Sequence, residues 1–205
     1  KAEGLKVCTL ASAGSFVAAQ GMSKEDECPA GKYSGSAAES CKDCVAGRYS
    51  GPGADTCELA EAGNFCSDEG ASAQVPCKAG TYSGAAASKC TPCAEGSYAS
   101  KQGSATCTAA SAGSFVGSTG ATSEVRCEPG ERSGVGQSKC EQCQPGTYAS
   151  DAGSTTCDLC EAGTFAEESG KSACDECPAG KYAAAAGSTM CSIANAGSYT
   201  SKKGS

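Results

Sequence analysis

The chain of 205 residues has no histidine, no tryptophan and only two methionines. Without an imidazole, with acidic residues scattered and with no serine in a nucleophile elbow, acid–base or triad chemistry has little material, which argues against an enzyme. Large apolar residues are scarce too. Leu, Ile, Val and Phe together make up roughly 8% of the chain, well under the ~20% below which a chain usually stays disordered. No apolar run approaches the ~18 residues of a membrane span, and no 3.6-residue apolar period marks a long helix. The sequence lacks N-x-Ser/Thr. Asn64-Phe65-Cys66 is a marginal N-glycan acceptor, while the abundant Ser and Thr are candidate O-glycan carriers. The net charge of −7 is spread thinly, with lysines and arginines interleaved. It argues against a nucleic-acid partner and for simple solubility.

What the chain has instead is cysteine, 18 in all, together with 28 glycines. Apolar burial at about 25 cal/mol per Å² cannot offset the entropy of ordering so alanine-rich a chain. A disulfide closing a loop of about 15 residues removes roughly 3 kcal/mol of unfolded-state freedom. Such a framework persists in an oxidising compartment and places the protein outside the cell or on its surface.

The cysteines follow a repeat. Gly14, Gly31, Gly47, Gly63, Gly80, Gly96, Gly113, Gly130, Gly146, Gly163, Gly180 and Gly197 recur every 16 or 17 residues. Every aromatic of the chain lies two places after one of them: Phe16, Tyr33, Tyr49, Phe65, Tyr82, Tyr98, Phe115, Tyr148, Phe165, Tyr182 and Tyr199. The remaining slot holds Arg132. A fixed period of this kind marks a stacked array. The reading is one array over residues 1–205, of about twelve units of 16–17 residues. Each is a short irregular β-hairpin with glycine supplying positive φ at the turn, and the whole is an elongated rod with almost no helix.

The empty slots inform the disulfide pairing. Each unit boundary has two slots, as in Cys41-x-x-Cys44. Pairing the second slot of one boundary with the first of the next gives Cys28–Cys41, Cys44–Cys57, Cys77–Cys90, Cys93–Cys107, Cys127–Cys140, Cys143–Cys157, Cys160–Cys174 and Cys177–Cys191. The slots without cysteine then pair with one another as well: Ala11 with Glu25, Ala60 with Gln74, and Ala110 with Glu124. A mixed scheme, with Cys8–Cys28, Cys57–Cys77, Cys107–Cys127 and bridges inside each C-x-x-C, stays open. Under the first scheme Cys8 and Cys66 are unpaired within the 205 residues. Cys66 is then either a buried free thiol or an interchain bridge. Cys8 needs a partner before Lys1, and the unit opened by Gly197 is unfinished, so the chain reads as a window of a longer array.

Other chemistry finds less support. Cys140–Cys160 and Cys157–Cys177 satisfy a four-thiolate zinc spacing, but the two sites would share Cys157 and Cys160, and Cys28 and Cys77 would have no ligand set. A redox role for C-x-x-C needs a helix start in a βαβ setting, which is absent. The acidic run Lys24–Glu27 reads as a solvated charge cluster rather than a calcium site. No cofactor is implied.

The pattern C-x-x-C-x-x-G-x-[YF] followed by G-x-x-x-C, as in "CKDCVAGRYSGPGADTC" (41–57) and "CDECPAGKYAAAAGSTMC" (174–191), resembles the ephrin-receptor-like cysteine-rich repeat, a relative of tumour-necrosis-factor-receptor and EGF-like modules. The resemblance implies an extracellular repeat protein. From it follows the expectation of a structural rod or filament subunit, for example of a protist flagellar hair or surface fibre. Units would bury their aromatic against the next staple and associate with themselves or with other extracellular chains. The alternative is a ligand-binding ectodomain of a cysteine-rich receptor or matrix protein, for which Arg132 and the irregular "EPGERSGVGQSKC" (128–140) are the only local sign of divergence.

Overall fold

The computed structural model describes residues 8–204. It separates into two compact units, one running to Pro92 with Lys101–Cys107 and the other comprising Cys93–Ser100 and the chain from Thr108 onward. No described residue is helical, and the strands are two-residue segments paired antiparallel in twos. The chain is thus a small disulfide-rich array of short hairpins.

The hairpin follows directly from the repeat. In "CPAGKY" the Lys32 N–H donates to the Pro29 carbonyl at 3.1 Å, and Gly31 has φ +86°. This is a type II turn, whose third position requires positive φ. The chain leaves the turn extended through Lys32–Tyr33 and pairs with Lys42–Asp43, Tyr33 lying opposite Lys42. The first compact unit repeats this at Phe16 opposite Asp26, Tyr49 opposite Glu58, Phe65 opposite Val75 and Tyr82 opposite Thr91. In the second unit the pairs are Tyr98 with Thr108, Phe115 with Val125, Arg132 with Glu141, Tyr148 with Asp158, Phe165 with Asp175 and Tyr182 with Ser192. The strand opposite the aromatic is always the pair of residues between the two cysteine slots.

A hairpin this short cannot persist alone in water, and backbone hydrogen bonds to the next repeats supply what it lacks. In the first compact unit Gly31 N–H donates to Ser50 O at 2.8 Å, and Ser34 N–H to Ala54 O at 3.2 Å. In the second, Gly113 N–H donates to Ser133 O at 2.9 Å and Val116 N–H to Gln137 O at 3.1 Å. A further bond reaches from the second slot of each repeat to a left-handed residue about 25 positions on, as from Gly70 N–H to Cys44 O and from Gly153 N–H to Cys127 O, both 2.8 Å.

The core differs from the expectation that aromatics would be buried against the next staple. Phe16, Tyr33, Tyr49, Phe65, Tyr82, Tyr98, Phe115, Tyr148, Phe165 and Tyr182 are only half-buried, and Tyr199 is 86% exposed. Fully enclosed instead are the second-slot residues Cys28, Cys44, Ala60, Cys77, Cys93, Ala110, Cys127, Cys143, Cys160 and Cys177, together with the small residue after each aromatic, such as Ser50, Val116 or Ala166. The physical reason is spacing. Repeats joined by direct backbone hydrogen bonds leave room for small side chains only, so the rings lie along the flank.

Contacts also skip a repeat. A Cβ on Gly31 would run into the carbonyl oxygen of Gly70, and one on Gly113 into that of Gly153, each two repeats further along. The left-handed slot that supplies these carbonyls is glycine at nearly every repeat, but Ala37 and Ala86 occupy it with φ 60° and 59°. Left-handed φ costs a residue with a Cβ ~1–2 kcal/mol, and glycine returns about 0.5–1 kcal/mol of that as unfolded-state entropy. Ala37→Gly and Ala86→Gly are therefore expected to raise stability by up to ~1 kcal/mol each, read as an upward shift of the urea midpoint.

Candidate functional site

The structure brings the paired cysteines together across each hairpin. Cys28 is bonded to Cys41, Cys44 to Cys57, Cys77 to Cys90, Cys127 to Cys140, Cys143 to Cys157, Cys160 to Cys174 and Cys177 to Cys191, with Cα atoms 5.7–5.8 Å apart. Cys93 and Cys107 are disulfide-bonded as well. The two cysteines of each C-x-x-C thus belong to different bridges. In every bridge the second-slot sulfur is buried and the first-slot cysteine half-buried.

Where the bridge is missing, a hydrogen bond stands in its place. Glu25 Oε2 accepts from the backbone N–H of Ser12 at 2.6 Å, Gln74 Oε1 from Glu61 N–H at 2.7 Å, and Glu124 Oε2 from Ser111 N–H at 2.7 Å. Each side chain occupies the first slot and reaches the residue just after the buried Ala11, Ala60 or Ala110. The hairpin is closed at the same point by a polar staple instead of a covalent one. Sequence reasoning paired these slots as absences; the signal that the residues form a bond was that all three are Glu or Gln. Since Gln74 does the same without charge, Glu25→Gln is expected to be neutral within ~0.5 kcal/mol. Glu25→Ala should cost about 1 kcal/mol, the usual worth of one net hydrogen bond. Comparing the two urea midpoints checks this.

Cys66 and Cys8 are the free cysteines among the described residues, the first buried and the second exposed. Cys66 is 2% exposed, its thiol 3.7 Å from the Ala73 carbonyl, and burial pushes its pKa up. Its position is the small-residue slot after the aromatic, held elsewhere by Ser34, Ser50, Ser83, Ala99, Val116, Ser133, Ala149, Ala166 and Ala183. The Cys66 N–H donates to Ala87 O and its carbonyl accepts from Gly47 N–H. In the serine versions the hydroxyl donates one repeat back, Ser50 to Lys32 O at 3.0 Å and Ser83 to Asn64 O at 2.9 Å. Cys66→Ser is accordingly expected to leave stability within ~1 kcal/mol of the parent. Cys66 should react with a thiol reagent far more slowly than Cys8.

Arg132 has an ordinary structural role. It faces Glu141 across the hairpin at 3.1 Å, on the exposed side. Tyr49 uses the same cross-strand position: its phenol hydrogen-bonds to Glu58, which holds the proton and raises the hydroxyl's pKa.

Among the described residues no three His, Cys, Asp or Glu side chains gather where they could hold a metal ion, and no helix is long and apolar enough to cross a membrane. A hollow of about 340 Å³ lies beside Leu10, Val17, Met22 and Glu25. Leu10 and Met22 are themselves exposed, and Glu25, the acidic side chain there, is already committed to Ser12.

A family model described as tyrosine-protein kinase ephrin type A/B receptor-like matches residues 80–127, 130–170 and 149–192, more than half of the chain. No curated protein matches it significantly.

Proposed function

The chain belongs to the ephrin type A/B receptor-like family, and from that premise we propose that it is a non-enzymatic extracellular structural protein, a subunit of a rod or filament built by stacking its repeats as one array. The observation that supports this most is the constancy of the stacking bond. The turn glycine's N–H donates to the residue after the next repeat's aromatic at Gly14, Gly31, Gly47 and Gly63 in the first compact unit, and at Gly96, Gly113, Gly130, Gly146, Gly163 and Gly180 in the second. A repeat that offers its successor the same bonds it received can be extended without redesign, and arrays of this kind are stabilised locally along their length. The residues that diverge, Arg132 and the unstapled hairpins, are accounted for by internal ion pairs and hydrogen bonds rather than by an open recognition site.

The test is the shape and assembly of the purified chain. Small-angle scattering of the 205-residue chain and of two copies joined in tandem should show length doubling at constant cross-section, and electron microscopy of native material should show filaments of uniform width. A compact particle in scattering, or native material dispersed as single short particles, would move the weight to a receptor-type ectodomain.

A further inference from the structure

The disulfides divide the chain into parts that can lengthen and parts that cannot. Residues enclosed by a bridge lie off the covalent path, because tension entering at Cys28 leaves through Cys41, and tension entering at Cys44 leaves through Cys57. Between closed repeats the path usually crosses only the two residues of C-x-x-C. Two internal segments break this rule. Residues 58–76 lie between Cys57 and Cys77 with no bridge of their own, and residues 108–126 lie between the disulfide-bonded Cys107 and Cys127. In place of a bridge their hairpins carry Gln74 on Glu61 and Glu124 on Ser111, both exposed hydrogen bonds, beside the backbone pairing of Phe65 with Val75 and of Phe115 with Val125.

We propose that residues 58–76 and 108–126 are yielding elements: under tension each opens as a unit while the stapled repeats on either side remain closed. The bonds that must break are hydrogen bonds throughout. For the first segment they are the Gln74 staple, the pairing of Glu58–Leu59 with Arg48–Tyr49, and the backbone bonds that join the segment to the repeats before and after it, among them Ala60 N–H to Gly47 O, Gly47 N–H to Cys66 O, Ser50 N–H to Ala71 O, Gly70 N–H to Cys44 O, Gly63 N–H to Ser83 O, Cys66 N–H to Ala87 O and Ala86 N–H to Ala60 O. None is covalent, and the bridges Cys44–Cys57 and Cys77–Cys90 on either side stay closed and hold the partner strands in place, so re-docking restores the same set. Opening the first segment also uncovers Cys66, which at rest is 2% exposed. The use of such an element in a tension-carrying filament rests on the function proposed above. The yielding itself follows from the connectivity and is measured on a single chain, so the two can fail separately.

The experiment holds the intact 205-residue chain by its termini in optical tweezers, without reductant and with a maleimide probe in solution. Two internal opening steps are expected, each of roughly 65 Å of contour less the folded span, at ~3.4 Å per extended residue. The ends before Cys28 and after Cys191 lengthen in every version, so the readout is the difference between versions. Ala60→Cys with Gln74→Cys should remove one step and Ala110→Cys with Glu124→Cys the other, each new bridge being verified by non-reducing peptide mapping. In the parent chain Cys66 should be labelled only after opening, whereas exposed Cys8 is labelled at rest and serves as the internal standard. Steps that persist in correctly bridged variants overturn the proposal. So does labelling of Cys66 as fast at rest as under load, a result that needs no variant.

Discussion

Gly113→Ala is expected to cost at least ~3 kcal/mol or to prevent its compact unit from folding. The backbone there has φ +82°, which charges a residue with a Cβ ~1–2 kcal/mol. The new methyl would also run into the carbonyl oxygen of Gly153. That oxygen belongs to backbone that cannot give way easily, because Gly153 N–H is tied at 2.8 Å to the carbonyl of the bridged Cys127. Forcing atoms into packed space adds about 1–3 kcal/mol. The control is a glycine of the same sequence type in another place. Gly35 and Gly84 lack positive φ, and a Cβ on either meets nothing within 4 Å. Gly35→Ala and Gly84→Ala should be neutral, or more stable by up to about 1 kcal/mol through the unfolded state. Urea midpoints under non-reducing conditions separate the two classes. If Gly113→Ala and Gly35→Ala behaved alike, the contact between repeats two apart would be wrong.

The contrast between these glycines also shows where the sequence stopped being readable. That Gly113 opens a turn was legible from its place two residues before an aromatic, and the hairpin class follows from the same period. Why the position tolerates nothing larger depends on the distant Gly153, and no local pattern announces that approach. The core was misjudged for a related reason. Phe65 and Tyr148 are the large apolar groups, so burial reasoning assigns them the interior, yet the interior is set by the spacing that direct backbone hydrogen bonds impose. The signal was present in a different column: the residue following each aromatic is Ser, Ala, Val, Cys or Thr throughout. Read that way, Cys66 is one more small residue in a tight slot. Likewise the substitution of cysteine pairs by Ala with Glu or Gln looks like loss until Glu124 is seen to reach Ser111. Residue type alone left that side chain free to face solvent.

Replacing the polar staple by a covalent one should be the largest single gain available. In the bridged hairpin of Cys143 and Cys157, the fourth residue after the first cysteine pairs with the second residue after its partner, Thr147 opposite Leu159. Ala110 and Glu124 bear the same relation to Ser114 opposite Arg126. The backbone around the two second slots also matches: Ala110 N–H donates to Gly96 O at 2.8 Å and Cys143 N–H to Gly130 O at 2.9 Å. Ala110→Cys with Glu124→Cys should therefore close a disulfide in geometry already used by its neighbours. Loop closure of this length contributes ~3 kcal/mol in the chain-entropy description, and loss of the Glu124 hydrogen bond takes back about 1 kcal/mol. The expected net gain is ~2 kcal/mol, seen as a higher urea midpoint. Glu124→Ala alone should shift it the other way by about 1 kcal/mol. The order Glu124→Ala, parent, bridged variant would establish that the two kinds of staple close the same hairpin with different strength. A mapped bridge between the two introduced cysteines with no gain in midpoint would mean that the residues between Ala110 and Glu124 are already held by stacking, and that the staple contributes nothing of its own.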